Sequence, residues 1–164
     1  MRSWLSTALT MLTLSALLAT APPAGAVDAP IGHIGDTLRV QANGIDADVT
    51  VAAPVPSEIP PGFGYPPRWP RQQVYSAAVT LHARTVPNPA AMATVFSFRG
   101  VTPTGDAYLP RNSDAPDALQ YALQNAPQGA TVGGRVFWDC YRDLVSTVVL
   151  INPRTGEHLA QWNL

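Results

Sequence analysis

The sequence has 164 residues, a formal net charge of −1 and a single cysteine, Cys140. So balanced a charge gives no electrostatic basis for binding nucleic acid or an anionic membrane surface, because both need clustered cations. One cysteine excludes an intramolecular disulfide, so packing alone must stabilise the folded chain.

The N-terminus has the organisation of a secretory signal. Arg2 precedes an apolar run from Trp4 to Leu18, and the small residues Ala24-Gly25-Ala26 follow. This pattern predicts a signal peptide of residues 1–26 that is cleaved after Ala26. An uncleaved membrane anchor is the alternative, but it needs about 20 apolar residues. No cysteine starts the remaining chain, so no lipid attachment is expected, and the product is predicted to be secreted with no stable membrane anchor.

Residues 27–164 are enough for one domain and too few for two ordinary ones. Apolar and polar residues alternate most clearly in Ile45–Val51 and in Gln73–Arg84, as in strands with one buried face. Turn signals separate further strands at Thr37–Gln41, Thr94–Arg99, Asp106–Leu109, Thr131–Cys140, Thr147–Ile151 and His158–Trp162. This spacing predicts an all-β, immunoglobulin-like antiparallel β-sandwich.

Two segments depart from the strand pattern. Ser113 or Asp114 can cap a short helix that has Pro116 in its first turn and Leu119 and Leu123 on one side. The second segment, residues 53–70, contains seven prolines. Proline cannot donate a ladder hydrogen bond, so this segment is predicted to be a long irregular loop.

The order of these motifs resembles the small secreted immunogenic antigen family of mycobacteria, the immunoprotective extracellular antigens of the MPT/MPB sixty-three type. The resemblance implies an extracellular immunoglobulin-like sandwich with no established enzymatic activity, and it brings no catalytic or binding residues. The matching pieces are Ile59-Pro60-Pro61-Gly62, Tyr65-Pro66, Gln73-Val74-Tyr75, Ala77–Ala83, Val95–Arg99, Thr104-Gly105-Asp106, Gly134–Asp139 and Glu157–Trp162.

The residues give little support for catalysis, a metal or a cofactor. None of the three histidines has a metal-ligand spacing to another histidine or to Cys140, and we predict no metal site and no cofactor. Asp46 and Asp48 point the same way along a strand, where a solvated face is the expected role. The alternative function is an exported hydrolase or metal-dependent enzyme, which requires a pocket in which His82 or His158 lies within hydrogen-bond reach of an Asp or Ser.

The proline-rich loop carries the candidate binding residues Phe63, Tyr65, Arg68 and Trp69. Exposed aromatic side chains beside arginine are typical of binding hot spots, and loops at the ends of a sandwich often carry recognition. The alternative is that these rings cover an open edge of the domain. The sequence therefore predicts a secreted, non-enzymatic binding module and antigen, whose partner is an unknown protein or cell-envelope component.

Overall fold

The computed structural model describes residues 28–63 and 73–164, and these form a β-sandwich of two facing sheets. The predicted signal peptide lies outside the described residues, within which no helix is long and apolar enough to cross a membrane. The elements are β1 (Ile31–His33), β2 (Thr37–Ala42), β3 (Ile45–Val51), β4 (Val55–Ser57), β5 (Gln73–Thr85), α1 (Ala91–Val95), β6 (Ser97–Val101), β7 (Ala107–Tyr108), α2 (Leu119–Gln124), β8 (Thr131–Cys140), β9 (Thr147–Ile151) and β10 (His158–Asn163).

The first sheet has the strand order β1-β10-β9-β6-β7. In the second sheet the order is β2-β3-β5-β4, and β8 also pairs with β5. All pairs are antiparallel except β1 with β10. The long strand β5 is therefore the centre of the second sheet, and it contacts β8 along ten register positions from Gln73 to His82.

The main core lies between the sheets and follows the period of two in the sequence. Every second side chain of β3, β5 and β8 points inward, and Val49, Leu81 and Trp138 are fully buried there. Trp162 enters the same core from β10 in the opposite sheet. The indole Nε1 of Trp138 donates a hydrogen bond to the carbonyl oxygen of Phe98 in β6 at 2.9 Å, which ties the two layers together.

Two predicted elements begin later than expected. The strand expected at Thr94–Arg99 starts at Ser97, because residues Ala91–Val95 form the helix α1. The predicted helix starts at Leu119, because the residues before it lie along the edge of β8, where Ala118 bridges to Arg135. Neither helix has a side-chain cap.

Part of the predicted irregular loop is a strand. Val55–Ser57 forms β4, which pairs antiparallel with Val74–Ser76 of β5 at an edge of the second sheet. Pro56 is tolerated there because an edge strand has a hydrogen-bonded neighbour on one side only, so not every residue needs a backbone N–H donor. The short parallel strand β1 has no clear alternation and was not among the predicted strands.

A second, smaller apolar cluster lies on the outer face of the second sheet. Phe137 points away from the main core, yet it is only 1% exposed, because the proline-rich segment and the residues before α2 cover it. We call this the outer cluster; it consists of Phe63, Val74, Ala115, Ala118 and Phe137.

Candidate functional site

Phe63, the first predicted binding residue, is buried. Its side chain is 2% exposed, and its ring packs edge-on against Phe137 with 6.3 Å between the ring centroids. The Arg111 guanidinium lies 4.7 Å from the centre of the Phe63 ring. Phe63 is therefore part of a structural cover, and its expected role as an exposed contact is corrected. Tyr65, Arg68 and Trp69 lie outside the described residues.

Backbone geometry directs Phe63 inward. Gly62 has a φ of +72°, a left-handed conformation that favours glycine. A Cβ atom at this position would also collide with the carboxylate of Asp114. Next to it, the Asp114 amide donates to the carbonyl oxygen of Pro61 at 2.7 Å. The turn at Gly62 thus fixes the proline-rich segment onto the residues that precede α2.

Both flanks of residues 64–72 lie at the same end of the sandwich. Phe63 precedes them and lies beside Arg111, in the loop after β7. Gln73 follows them and lies opposite Cys140, the last residue of β8. The candidate loop therefore leaves and rejoins the described structure where β8 ends.

Among the described residues, large exposed apolar side chains that the sequence did not single out are found at this end and in the loop that follows β8. Leu109 is 62% exposed, Tyr141 50% and Leu144 58%. Arg142, whose side chain is 64% exposed, has its guanidinium 5.8 Å from the centre of the Tyr141 ring. We call these four residues the Tyr141 end.

Hydrogen bonds hold the loop between β8 and β9 in place. The buried Tyr108 side chain donates from its hydroxyl to the carbonyl oxygen of Asp143 at 3.1 Å and accepts from the Arg142 amide at 3.2 Å. The Tyr141 ring packs edge-on against the Tyr108 ring with 5.3 Å between centroids. The Arg142 guanidinium also pairs with Asp106 at 3.3 Å. These contacts hold the backbone of Arg142 and Asp143 and the ring of Tyr141 against Tyr108.

The histidines do not assemble an acid–base site in the described part of the chain. The His82 ring contacts the Thr131 hydroxyl at 3.0 Å on the outer face of the second sheet. Asp48 lies opposite His82 in the strand register, but its carboxylate accepts from Arg84 at 2.8 Å. No hydrogen bond joins His82 or His158 to an Asp or Ser within residues 28–63 and 73–164. The arrangement required by the hydrolase alternative is absent there.

Arginines neutralise the two aspartates that the sequence places side by side. Arg39 makes two hydrogen bonds to Asp46, at 2.9 and 2.6 Å, and these lower the pKa of the Asp46 carboxyl. The hydrogen bond from Arg84 likewise lowers the pKa of Asp48. Among the described residues no group of three or more His, Cys, Asp or Glu could hold a metal ion.

Cys140 lies in the main core and is 4% exposed. Burial, with a smaller contribution from the charge of Asp139, raises the pKa of the Cys140 thiol to about 12. Because the thiolate is the nucleophilic form, the folded chain holds Cys140 in an unreactive state at neutral pH.

No protein-family model and no curated protein matches the chain. Among solved structures, the secreted protein MPT63 of Mycobacterium tuberculosis aligns with a TM-score of 0.59 and 20% identity, over 84% of this chain and 99% of that one. The chain shares its fold with MPT63. A β-sandwich protein of Clostridium difficile 630 aligns with a TM-score of 0.47 and 12% identity, over 83% of this chain and 94% of that one. The likeness to MPT63 and the two sheets confirm the predicted β-sandwich.

Sequence signals for the Tyr141 end were present but weak. Tyr141-Arg142 is an aromatic residue beside an arginine, the same pattern that drew attention to the proline-rich loop. It follows a ten-residue strand directly, so the pair falls at the end of the sandwich. The exposure of Leu109 and its nearness to Tyr141 depend on the path of the loop after β7, which the sequence does not show.

Proposed function

We propose that the chain is an exported, non-enzymatic immunoglobulin-like binding module, which contacts a protein or cell-envelope partner through the Tyr141 end. The observation that carries the proposal is the exposure of Leu109 and Tyr141, which line one surface pocket, with Leu144 exposed three residues after Tyr141 in the same loop. Contiguous exposed apolar groups beside an arginine mark interaction sites, and tyrosine and arginine are enriched among residues that dominate binding energy.

The ordered loop favours binding without a large entropic cost. Tyr108 holds the Arg142 amide and the Asp143 carbonyl, so the exposed residues of this loop are already positioned. Less conformational freedom is then lost when a partner binds. End loops held on a rigid sandwich are a common basis for recognition in this architecture.

The proposed contact surface extends to Tyr65, Arg68 and Trp69. Their segment is bounded by Phe63 and Gln73, which both lie near the end of β8. Phe63 itself is excluded from the contact because the outer cluster buries it. In this proposal Phe63 acts as the anchor of the segment.

Export and family membership are parts of the same proposal. The pattern of residues 1–26 supports cleavage after Ala26 and release outside the cell. The ordered motifs and the fold shared with MPT63 support membership of the small secreted immunogenic antigen family and a role as an antigen. N-terminal sequencing of the protein from culture supernatant should start at Val27. Retention of the unprocessed chain inside the cell would contradict export.

Site-specific photocrosslinking tests the binding surface. A photoreactive phenylalanine analogue is placed at position 144 of the exported protein, which is then exposed to intact cells of the producing organism. The double variant Tyr141→Ala, Leu144→Ala and the single variant Trp69→Ala are compared with the unchanged chain in competition for the crosslinked species. We expect the unlabelled, unchanged protein to suppress the crosslink. The double variant should need at least a tenfold higher concentration for the same suppression, and Trp69→Ala should need a smaller increase.

Tyr121 supplies the matched control, because it is a tyrosine of similar exposure, 45%, on α2 and away from β8's end. The analogue at position 121 should give no crosslink to the same species, and Tyr121→Ala should compete as well as the unchanged chain. Equal crosslinking from positions 121 and 144, or undiminished competition by the double variant, would reject the Tyr141 end as the contact surface.

A further inference from the structure

A cleft opens at the side of the sandwich, between β8 of the second sheet and β6 of the first. Its volume is about 290 Å³, and its walls come from these strands, both helices and the loop after β7. This volume falls at the lower end of the range for small-molecule sites. The cleft therefore suits a compact ligand and is too small to bind another folded protein.

The inner lining of the cleft is apolar. It consists of side chains that are each no more than 6% exposed, so the floor of the cleft is the edge of the packed core. A hydrocarbon group that covers this floor removes apolar surface from water, which is favourable. These inner residues are Phe96, Phe98, Leu119, Leu123 and Val136.

The outer lining is cationic and rich in hydrogen-bond donors. Among the described residues, the charged groups of the lining are Arg111 and Arg135, and each is paired with an aspartate outside the lining. The amides of Asn112 and Gln124 add further donors at exposed positions. A ligand that enters with its apolar part inward thus places its polar end among groups that favour an anion.

Both guanidinium groups are held in position before a ligand arrives. Arg135 donates to the two carboxylate oxygens of Asp117, at 2.5 and 3.1 Å. Arg111 donates from Nη1 to Asp139 at 3.0 Å and lies against the Phe63 ring. In the described part of the chain Nε and Nη2 of Arg111 donate to no protein acceptor. A carboxylate can accept from these nitrogens without breaking the ion pair.

We propose that this cleft binds a small monocarboxylate with a hydrocarbon body of about ten carbon atoms, a size consistent with a pocket at the small end of the usual range. The hydrocarbon part packs on the inner apolar residues, and the carboxylate accepts hydrogen bonds from Arg111 and the neighbouring amides. This inference does not depend on the Tyr141 end, since the two sites have no residue in common.

Three probes separate the contributions of charge and hydrocarbon. Decanoate, decanol and acetate are titrated into the isotopically labelled protein, and amide chemical shifts are followed. We expect decanoate to shift the amides of residues 118–124 and 135–136 with saturation. Decanol should bind at least tenfold more weakly because it lacks the charge, and acetate should not saturate because it lacks the apolar body.

Two variants locate the site. Ala93 is exposed on α1 and lines the cleft, so Ala93→Trp should fill the space and abolish decanoate binding with both arginines retained. Arg111→Gln should weaken decanoate at least fivefold and leave decanol unchanged. Arg39→Gln is the matched control, because Arg39 is also a partly exposed arginine paired with an aspartate, but lies on β2.

Equal affinity for decanoate and decanol, or equal effects of Arg111→Gln and Arg39→Gln, would overturn the recognition of a carboxylate. If Arg111→Gln does not fold, Ala93→Trp decides the question. Decanoate binding to Ala93→Trp within threefold of the unchanged chain, or shifts confined to amides outside the cleft, would overturn the proposal.

Discussion

The main core and the outer cluster are built on the two faces of the same strand, β8. Trp138 points inward between the sheets, while Phe137 points outward and is covered by segments without regular structure. Both side chains are almost fully buried. The difference shows that burial of a strand residue can come from a facing sheet, which the alternation predicts, or from a loop, which it does not.

The two regions also differ in what holds them closed. Residues from both sheets fix the main core, and opening it requires the layers to separate. The outer cluster is closed by Phe63 and by Ala115 and Ala118, and few ladder hydrogen bonds restrain these residues. Regions with few such restraints open locally at lower free energy than the core does. The following variants test this contrast.

Trp138→Ala should give the largest loss of stability. The change removes a fully buried indole that contacts Gly100 and donates to the Phe98 carbonyl. Truncations of buried Trp or Phe to Ala cost about 3 to 5 kcal/mol, and we expect about 4 kcal/mol here because both sheets are rigid. Urea unfolding followed by circular dichroism measures the loss. Trp138→Phe, which keeps a ring, should cost markedly less; equal losses would show that the cavity is not the cause.

Phe137→Ala should cost less, about 2 to 3 kcal/mol, because the cost of a cavity falls where the surroundings can collapse. Hydrogen exchange should become faster at the amides of Arg111 and Asp114, which donate across this region to Phe137 and Pro61. Exchange in the centre of β5 should not change. A loss as large as that of Trp138→Ala, with exchange accelerated throughout, would mean that the outer cluster and the main core open together.

Gly62→Ala should be more destabilising than Gly105→Ala. Both glycines have positive φ, so each alanine variant carries a strain of about 1 to 2 kcal/mol. At Gly62 a Cβ also collides with Asp114, whereas nothing lies within 4 Å of a Cβ at Gly105. The difference between the two free energies of unfolding isolates the contact that closes the outer cluster. Equal values would indicate that Asp114 moves aside without cost.

Asp117→Asn should have the smallest effect. Its hydrogen bond from Arg135 lowers the pKa of the Asp117 carboxyl, so the charged form is favoured in the folded chain. The resulting stabilisation is present above the unfolded pKa, near 3.9, and is lost as the pH falls through the lower folded pKa. Since the pair is partly exposed, we expect at most about 0.5 kcal/mol at pH 7.

The free energy of unfolding, measured from pH 7 to pH 2, tests whether this stabilisation is lost in acid. The difference between the unchanged chain and Asp117→Asn should shrink below pH 4. If the difference in unfolding free energy between the two proteins grows as the pH falls, the stabilisation comes from another group.

Much of the strand layout was predictable, because one buried face forces apolar residues to alternate. Ile45–Val51, Thr131–Cys140 and Thr147–Ile151 have the predicted bounds, and β5 ends one residue later than predicted. The prediction was wrong for α1, since five residues are too few to show a helical period. The strand β4 was also not predicted, because proline is uncommon in strands and the sequence does not show that this segment lies at the edge of a sheet.

The candidate site was less predictable. The aromatic and arginine pattern in the proline-rich loop did not distinguish an exposed ring from a covering one, and Phe63 is a covering one. The exposure of Leu109 beside Tyr141 and the cleft above Phe98 both depend on segments far apart in sequence. Contacts between segments that are far apart in sequence leave no local pattern of residue types from which they could be predicted.

The sequence by itself determined most of the strands, their inward faces and the need for the chain to fold without a disulfide, because alternation and composition are local properties. Only the tertiary structure decided that Phe137 is buried and that the exposed Leu109 lies beside Tyr141. The reason is physical: a strand residue on the outer face is exposed or buried according to which distant loop packs on it.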